Sequence, residues 1–384
     1  MDRTYIRPDA EACRPRTEDW KKLNPSRRFH FHVDILGTCN LACPSCPVGN
    51  LANIKAPTGH MSLDLLDKIL KKATAECEVT GFALYNWTEP LLHPKLPDMI
   101  RLIRSYEVNC LLSANLNLIK SINAVMEANP GSLRITVSGF TQEQYGWTHR
   151  DGDIEVVKKN MAEVARAKER SGATTNVTVG FLRYLGNHED ELKMKEYATS
   201  LGFGFEPLWA YLMPLEKVLA YAEPDSIDVE LTHDDHTLIG KLALPLDRSI
   251  EVARKFKDRP CNLRDRQMAL NFRGEVMLCC TVYDQSKYKL ANYLDMPLDK
   301  LQEMKYRHSM CGSCMKHGLH VLATYGTKEL DKIALANVAR RYPDAKLIGM
   351  YEAMPERFPH GISGWPRILR WKLQNVLSRL GARV

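Results

Sequence analysis

The sequence predicts an α/β fold built on a parallel sheet, and three observations carry the prediction. Short apolar runs alternate with amphipathic segments at a steady period over residues 29–214, the runs read as buried parallel strands, and most end in polar residues. Ligands bind at the carboxyl ends of such strands, so those ends are where chemistry is expected. With 384 residues the chain has room for one large domain and a smaller one, and 45% apolar content is ordinary for a globular protein.

Residues 1–28 are polar and aperiodic and are read as an N-terminal extension. The first apolar run, Phe29 to Leu36, leads directly into Cys39-Asn-Leu-Ala-Cys43-Pro-Ser-Cys46. Ser62 is placed to cap a helix from Leu63 to Cys77, whose Leu65, Leu66, Ile69 and Leu70 recur at helical spacing, and Val79 to Tyr85 completes a strand, helix and strand unit. Helices at Met99–Tyr106, Ile119–Ala128, Ile154–Arg170 and Asp190–Ser200 then alternate with strands at Val108–Ser113, Leu133–Ser138, Val177–Leu182 and Phe203–Trp209. Residues 215–255 lose the period, mix a short helix with the acid-rich Glu223 to Glu230 and Pro245, and read as a linker or substrate-facing insertion. Met268–Phe272 and Val276–Cys280, around Arg273-Gly274-Glu275, read as a β-hairpin. Residues 321–384 read as a helical extension, with one helix at Leu330–Arg340. A last one, Trp365 to Leu380, carries Arg367, Arg370, Lys372 and Arg379 and no acidic residue, suited to docking on the barrel or on an anionic surface.

The balance of 53 basic against 46 acidic residues, formally +7, permits an anionic partner without naming one. No basic and aromatic module points to nucleic acid. The leading residues contain no apolar core, so no secretory signal or transmembrane segment is expected and the location is read as cytoplasmic. Eleven cysteines in that setting point to metal rather than disulfides.

Soft thiolates select iron–sulfur clusters or zinc, and four of them usually complete either site. The local set at Cys39, Cys43 and Cys46 stops at three. Its spacing, Cys39-x3-Cys43-x2-Cys46, resembles that of the radical S-adenosylmethionine (radical SAM) enzymes, although Ser45 stands where an aromatic or bulky residue is common. The resemblance implies a partial (β/α)6 TIM-like barrel over residues 29–214. It also implies a [4Fe-4S] cluster held through three irons, with the fourth iron taking the amino nitrogen and carboxylate of SAM.

Asn86-Trp87-Thr88-Glu89-Pro90, after the second strand, is similar to the glycine, glycine and glutamate motif of that family, with the glycines replaced and the acid kept. Glu89 is therefore expected on the methionine ammonium, a charge-assisted contact, with Asn86 beside it. Ser113 and Asn115 resemble a segment common after the third strand, Ser138 closes the fourth, and Arg183 follows the fifth; these four are further SAM-binding candidates. Trp87, Asn187 and Tyr211 are substrate candidates. So are Trp147, His149 and Arg150, in a loop from Tyr145 to Asp151 whose rings suit the apolar face of a sugar and whose charges suit its hydroxyls. The same loop is equally suited to packing on itself and capping the following helix.

Cysteines return as Cys261, Cys279, Cys280, Cys311 and Cys314. Cys261-x12-Gly274-x4-Cys279 resembles the opening of the SPASM auxiliary-cluster module, and Cys311-x2-Cys314 completes what looks like its shortened form, called twitch. Residues 256–320 are thus expected to form a small α+β domain with an auxiliary [4Fe-4S] cluster, for two clusters in all, a zinc site on the same four thiolates being the other reading. On an extended strand Cys280 points away from Cys279, which leaves it a small buried hydrophobe or the hydrogen donor an epimerase needs. Cys13, Cys77 and Cys110 are read as structural.

The resemblance implies a dehydrogenase or epimerase that abstracts hydrogen from a carbinol carbon of a small sugar or aminocyclitol. It would be served by a flavodoxin- or ferredoxin-like electron donor. Two competitors are modification of a peptide or protein side chain, disfavoured by the short leader before the first strand, and a non-catalytic iron–sulfur or zinc protein.

Overall fold

The computed structural model describes residues 19–50, 58–224 and 227–354. Cys13 and the basic segment Trp365 to Leu380 lie outside the described residues.

Among the described residues nine strands form one sheet: β1 (Arg28–Val33), β2 (Glu78–Ala83), β3 (Cys110–Ala114), β4 (Ser132–Val137), β5 (Asn176–Arg183), β6 (Gly204–Trp209), β7 (Gln267–Leu270), β8 (Glu275–Met277) and β9 (Lys289–Asn292). Their order is β6-β5-β4-β3-β2-β1-β7-β8-β9. β1 to β6 pair in parallel and in sequence, as strands joined by crossover helices do. The hairpin joins the same sheet: β7 pairs in parallel with the free edge of β1, and β8 and β9 follow antiparallel. The fold is mixed α/β with a parallel sheet and helices, the class read from the sequence.

Burial follows the strand period. In β1 the residues Phe29, Phe31 and Val33 are fully buried, as are Leu133, Ile135 and Val137 in β4. They pack against helix residues such as Leu66, Ile69, Leu70, Met99, Ile100 and Ile103 in the main core. The helix Leu63–Glu76 starts where Ser62 accepts the Leu65 N–H and buries Leu66, Ile69, Leu70 and Ala73. A second core lies on the other face of the sheet, where Leu208, Ala269 and Met277 meet helices drawn from residues 215–354. Three of these helices, Leu215–Ala222, His233–Lys241 and Leu246–Arg254, fill the stretch read as a linker or insertion.

Boundaries shift for local reasons. β1 stops at Val33, and Leu36 instead makes an isolated bridge to His60. The third helix starts at Leu96 rather than Met99 because Pro97 sits in its first turn, where a missing N–H costs nothing. β8 ends at Met277, so Cys279 and Cys280 lie beyond the strand, Cys280 in a turn, and strand alternation does not set them on opposite faces.

Candidate functional site

The chain leaves β1 through Asp34 and enters the loop of Cys39, Cys43 and Cys46, all free thiols. The loop is wound tightly: the Cys46 N–H donates to the Cys43 carbonyl (3.1 Å), and the Gly49 and Asn50 N–H groups donate to the Cys46 carbonyl (3.0 and 2.9 Å). Gly49 lies directly against the chain it curls over, since a Cβ there would sit 2.3 Å from the Ala42 carbonyl carbon and 2.4 Å from the Cys43 nitrogen. Burial raises all three thiols above their ordinary range, Cys46 to about 12, and for Cys43 the next causes are Cys46 and Cys39. Three adjacent thiols that resist ionising alone form a donor set that a metal would deprotonate.

Asp34 organises the neighbouring loop. One of its oxygens accepts the N–H groups of Asn86 (3.1 Å), Trp87 (2.9 Å) and Thr88 (3.1 Å) and the Thr88 hydroxyl (2.8 Å). This turn carries the Trp87 carbonyl to within 3.8 Å of the Cys46 sulfur. Glu89 follows, 3% exposed, accepting from the Leu91 N–H (3.0 Å) and from the Asn115 N–H (2.6 Å). Burial pushes its carboxyl up to about 7. The Asn115 side chain in turn donates to Asn40 (2.9 Å) and approaches the Cys39 sulfur at 3.7 Å. Three cysteines, Glu89 and Asn115 therefore meet at the carboxyl ends of β1, β2 and β3.

The other residues singled out from the sequence take varied places. Ser113 shares a hydrogen bond with Thr136 (3.2 Å), and Asn86 enters the Asp34 turn through its backbone. Ser138 is fully buried among Thr148 and His149, and its carbonyl accepts from Asn187 (2.8 Å). Arg183, expected at the cofactor, is enclosed instead: it forms a two-pronged pair with Glu191 (2.6 and 2.8 Å), donates to the Ile348 carbonyl, and lies 4.7 Å from the Trp209 ring centre. His149, expected at the substrate, is stacked on Tyr145 at 4.5 Å and held neutral by burial, which lowers its pKa to about 4. Trp147 packs edge-on against Tyr184 (5.0 Å), and Arg150 pairs with Asp234 (2.9 Å) while its carbonyl accepts from Ala42. The loop Tyr145 to Asp151 thus braces the cysteine loop, and nearby Asp153 caps the next helix. Trp87 donates to the Val282 carbonyl (3.2 Å) and meets Tyr283 edge-on, and Tyr211 meets Tyr325 edge-on at 5.7 Å.

The second cysteine set converges. Cys261, Cys279, Cys311 and Cys314 line one pocket, walled by Leu278 and Met310. Cys311 and Cys314 reach it from one face of the helix Ser309–Lys316, three residues apart, and Cys261 precedes the helix Asn262–Arg266. Thr281 donates to the Cys279 sulfur (3.3 Å). Cys280 does not line the pocket; the adjacent Cys279 and burial hold its thiol well above the ordinary range, while Cys279 is lowered. Among the described residues no three Cys, His, Asp or Glu side chains close on a point as a single-ion site would.

Several residues escaped the sequence reading. On the sheet face opposite the main core, strand alternation places His30, His32, Arg134, Glu206 and Gln267, and Tyr85 joins them from just beyond β2. His30 and His32 lie 5.0 Å apart, and Tyr85 is 5.6 Å from His32. Burial lowers His30 to about 4 and His32 well below its ordinary range, with His30 and Arg134 adding to the second shift. Arg134 crosses β5 to reach Glu206 (3.5 Å), and Gly180 is what lets it pass: a Cβ there would sit 2.9 Å from its Cδ. Alternation within the strands was the available signal. Asn50 was missed too; it donates to Pro44 (2.8 Å) and to Asp235 (3.0 Å), which pairs with buried Lys217 (2.8 Å), tying the cysteine loop to the helices after β6.

No protein-family model matches the chain. The GTP 3',8-cyclase of Chlorobaculum tepidum is 26% identical over 188 residues, 46% of this chain and 52% of the relative, so the chain spans about half the length of the curated relative it matches. Among solved structures, Streptococcus suis SuiB bound to S-adenosylmethionine aligns with a TM-score of 0.48 and 12% identity over 73% of this chain and 67% of its own. BtrN in complex with AdoMet and 2-DOIA aligns at 0.44 with 14% identity over 78% and 90%, and anSMEcpe with bound AdoMet at 0.47 with 16% over 73% and 82%.

Proposed function

We propose that this chain is a radical SAM oxidoreductase or epimerase acting on a small polyhydroxylated molecule. In this reading Cys39, Cys43 and Cys46 hold an open [4Fe-4S] cluster with SAM, and Cys261, Cys279, Cys311 and Cys314 hold a closed auxiliary cluster of twitch type. The observation that carries it is the meeting of three adjacent thiols with Glu89 and Asn115 at the carboxyl ends of β1, β2 and β3. Three thiolates leave a four-iron cluster one ligand short. When bound, the cluster and SAM supply a 5′-deoxyadenosyl radical, which takes hydrogen from an unactivated C–H bond as no acid or base can.

The chain's own residues bind and orient. Glu89, held by two backbone N–H groups, is fixed in place for the methionine ammonium, and an arriving cation favours the carboxylate that burial alone disfavours. Asn115 fixes the Cys39 side of the loop, and Asp34 fixes the turn that leads to Glu89.

The substrate class rests on the polar face of the sheet. Two neutral imidazoles, a phenol and an Arg134–Glu206 pair whose charges cancel offer donors and acceptors without net charge. A neutral or aminated polyol suits that set. A triphosphate such as GTP calls for several cations, and here one arginine is already paired. Cys280, just beyond β8 and outside the four-cysteine pocket, is the candidate hydrogen donor for an epimerase outcome. A flavodoxin- or ferredoxin-like protein is the proposed electron donor.

Polyols carrying deuterium at carbinol carbons test the reading. Incubated with reduced protein and SAM, a true substrate passes deuterium into 5′-deoxyadenosine. Deuterium arriving instead from a peptide side chain would replace the polyol with the peptide.

A further inference from the structure

Lys305 lies on the helix Leu298–Arg307 and is 1% exposed. Its ammonium donates to the carbonyls of Leu263 (3.2 Å), Arg264 (2.8 Å) and Gln267 (2.7 Å). All three acceptors are neutral, so the N–H groups are satisfied while the charge is not. Burial pushes its pKa down, and the groups that oppose the shift are the thiols of Cys279, Cys311 and Cys261 and then Asp265. A buried cation with no counter-charge is costly.

The neighbouring cation is differently placed. Arg264 pairs with Asp265 at 3.1 Å, and the same carboxylate accepts the Tyr306 hydroxyl at 2.6 Å. The guanidinium also lies 3.8 Å from the Tyr306 ring centre. Leu263 and Arg264, whose carbonyls Lys305 holds, line the four-cysteine pocket; Arg264 and Asp265 largely cancel, which among the described residues there leaves Lys305 as the net positive charge. Four deprotonated cysteines around an iron–sulfur core carry net negative charge, so pocket and lysine each supply what the other lacks.

We propose that Lys305 is the buried counter-charge of the second cysteine site and raises the reduction potential of the cluster held there. The inference rests on the reading of that site as an auxiliary cluster. Reduction adds an electron to the site, and a fixed cation in weakly screening surroundings stabilises the reduced form more than the oxidised one. The site becomes a better acceptor for an electron leaving the substrate. A purely structural role, capping the carbonyls at the end of the helix Asn262–Arg266, would not set the potential.

The test uses the full-length chain with Cys39, Cys43 and Cys46 replaced by alanine, so that only the second site carries iron, titrated redox-wise under electron paramagnetic resonance. Lys305→Gln keeps donors for the carbonyls but removes the charge, and its midpoint should move to more negative potential. Lys305→Arg should return it toward the parent. Asp265→Asn, which removes the opposing anion, should move it the other way. An iron-loaded Lys305→Gln protein with an unchanged midpoint overturns the proposal. Should that variant lose its iron, Lys305→Met, an uncharged side chain of similar length, decides: a negative shift supports the proposal, an unmoved midpoint overturns it, and loss of iron from both neutral variants while Lys305→Arg keeps it supports the counter-charge. A parent that binds no iron, against about four expected, would sink the cluster assignment itself, a failure distinct from that of Lys305.

Discussion

Cys280 is the residue on which the outcome of the proposed reaction turns. It follows Cys279 in the chain just beyond β8 but is not among the residues lining the pocket that the four other cysteines share. Cys280→Ala should leave 5′-deoxyadenosine formation intact. Loss of inverted product with that activity retained identifies an epimerase, and undiminished ketone formation identifies a dehydrogenase. The sequence made the cysteines legible because spacing is a local property. It could not place Cys280, whose position depends on where β8 ends, two residues before Cys279. Asp34 was invisible for a related reason: one aspartate after an apolar run says nothing until the backbone of residues 86–88 folds against it. Asp34→Ala strands three backbone donors and should lower stability by ~2–4 kcal/mol, measured by denaturant unfolding.

At the level of elements, the six parallel strands and their crossover helices were readable because both periods, two and 3.6, are strong in buried parallel sheets. Of the helices of residues 215–254 only one short one was readable, since their apolar residues face the second core and are interrupted by prolines and acids. The first of them carries Glu216, 4% exposed, whose Oε1 accepts the N–H groups of Tyr283 (2.7 Å) and Asp284 (3.2 Å) while Oε2 is a buried oxygen with no partner. Burial raises this carboxyl from 4.5 to about 7. Between those values the folded chain holds a proton that the unfolded chain has released, so stability falls as pH rises through that window. The cost is ~3 kcal/mol once the group is ionised. Glu216→Gln should flatten the dependence between pH 4.5 and 7 in thermal melts; an unaltered slope would mean that Glu216 does not titrate there.

Across the whole molecule, one sheet carries both cysteine sites. β7 extends the six parallel strands from the free edge of β1, and the segment after β8 returns to Trp87 beside Cys46 through the Val282 carbonyl. This long-range joining could not be read from residues more than 180 positions apart, whereas each cysteine set could. The reading of the sites as clusters predicts about eight irons per chain. No helix among the described residues is long and apolar enough to cross a membrane.

The most direct measurement is the fate of SAM. Anaerobically reconstituted and reduced protein should convert it to 5′-deoxyadenosine and methionine, and Cys39→Ala should abolish that conversion while the chain remains folded. Iron-loaded, reduced protein that leaves SAM intact, or a folded Cys39→Ala variant that cleaves it at the parent rate, would contradict the account.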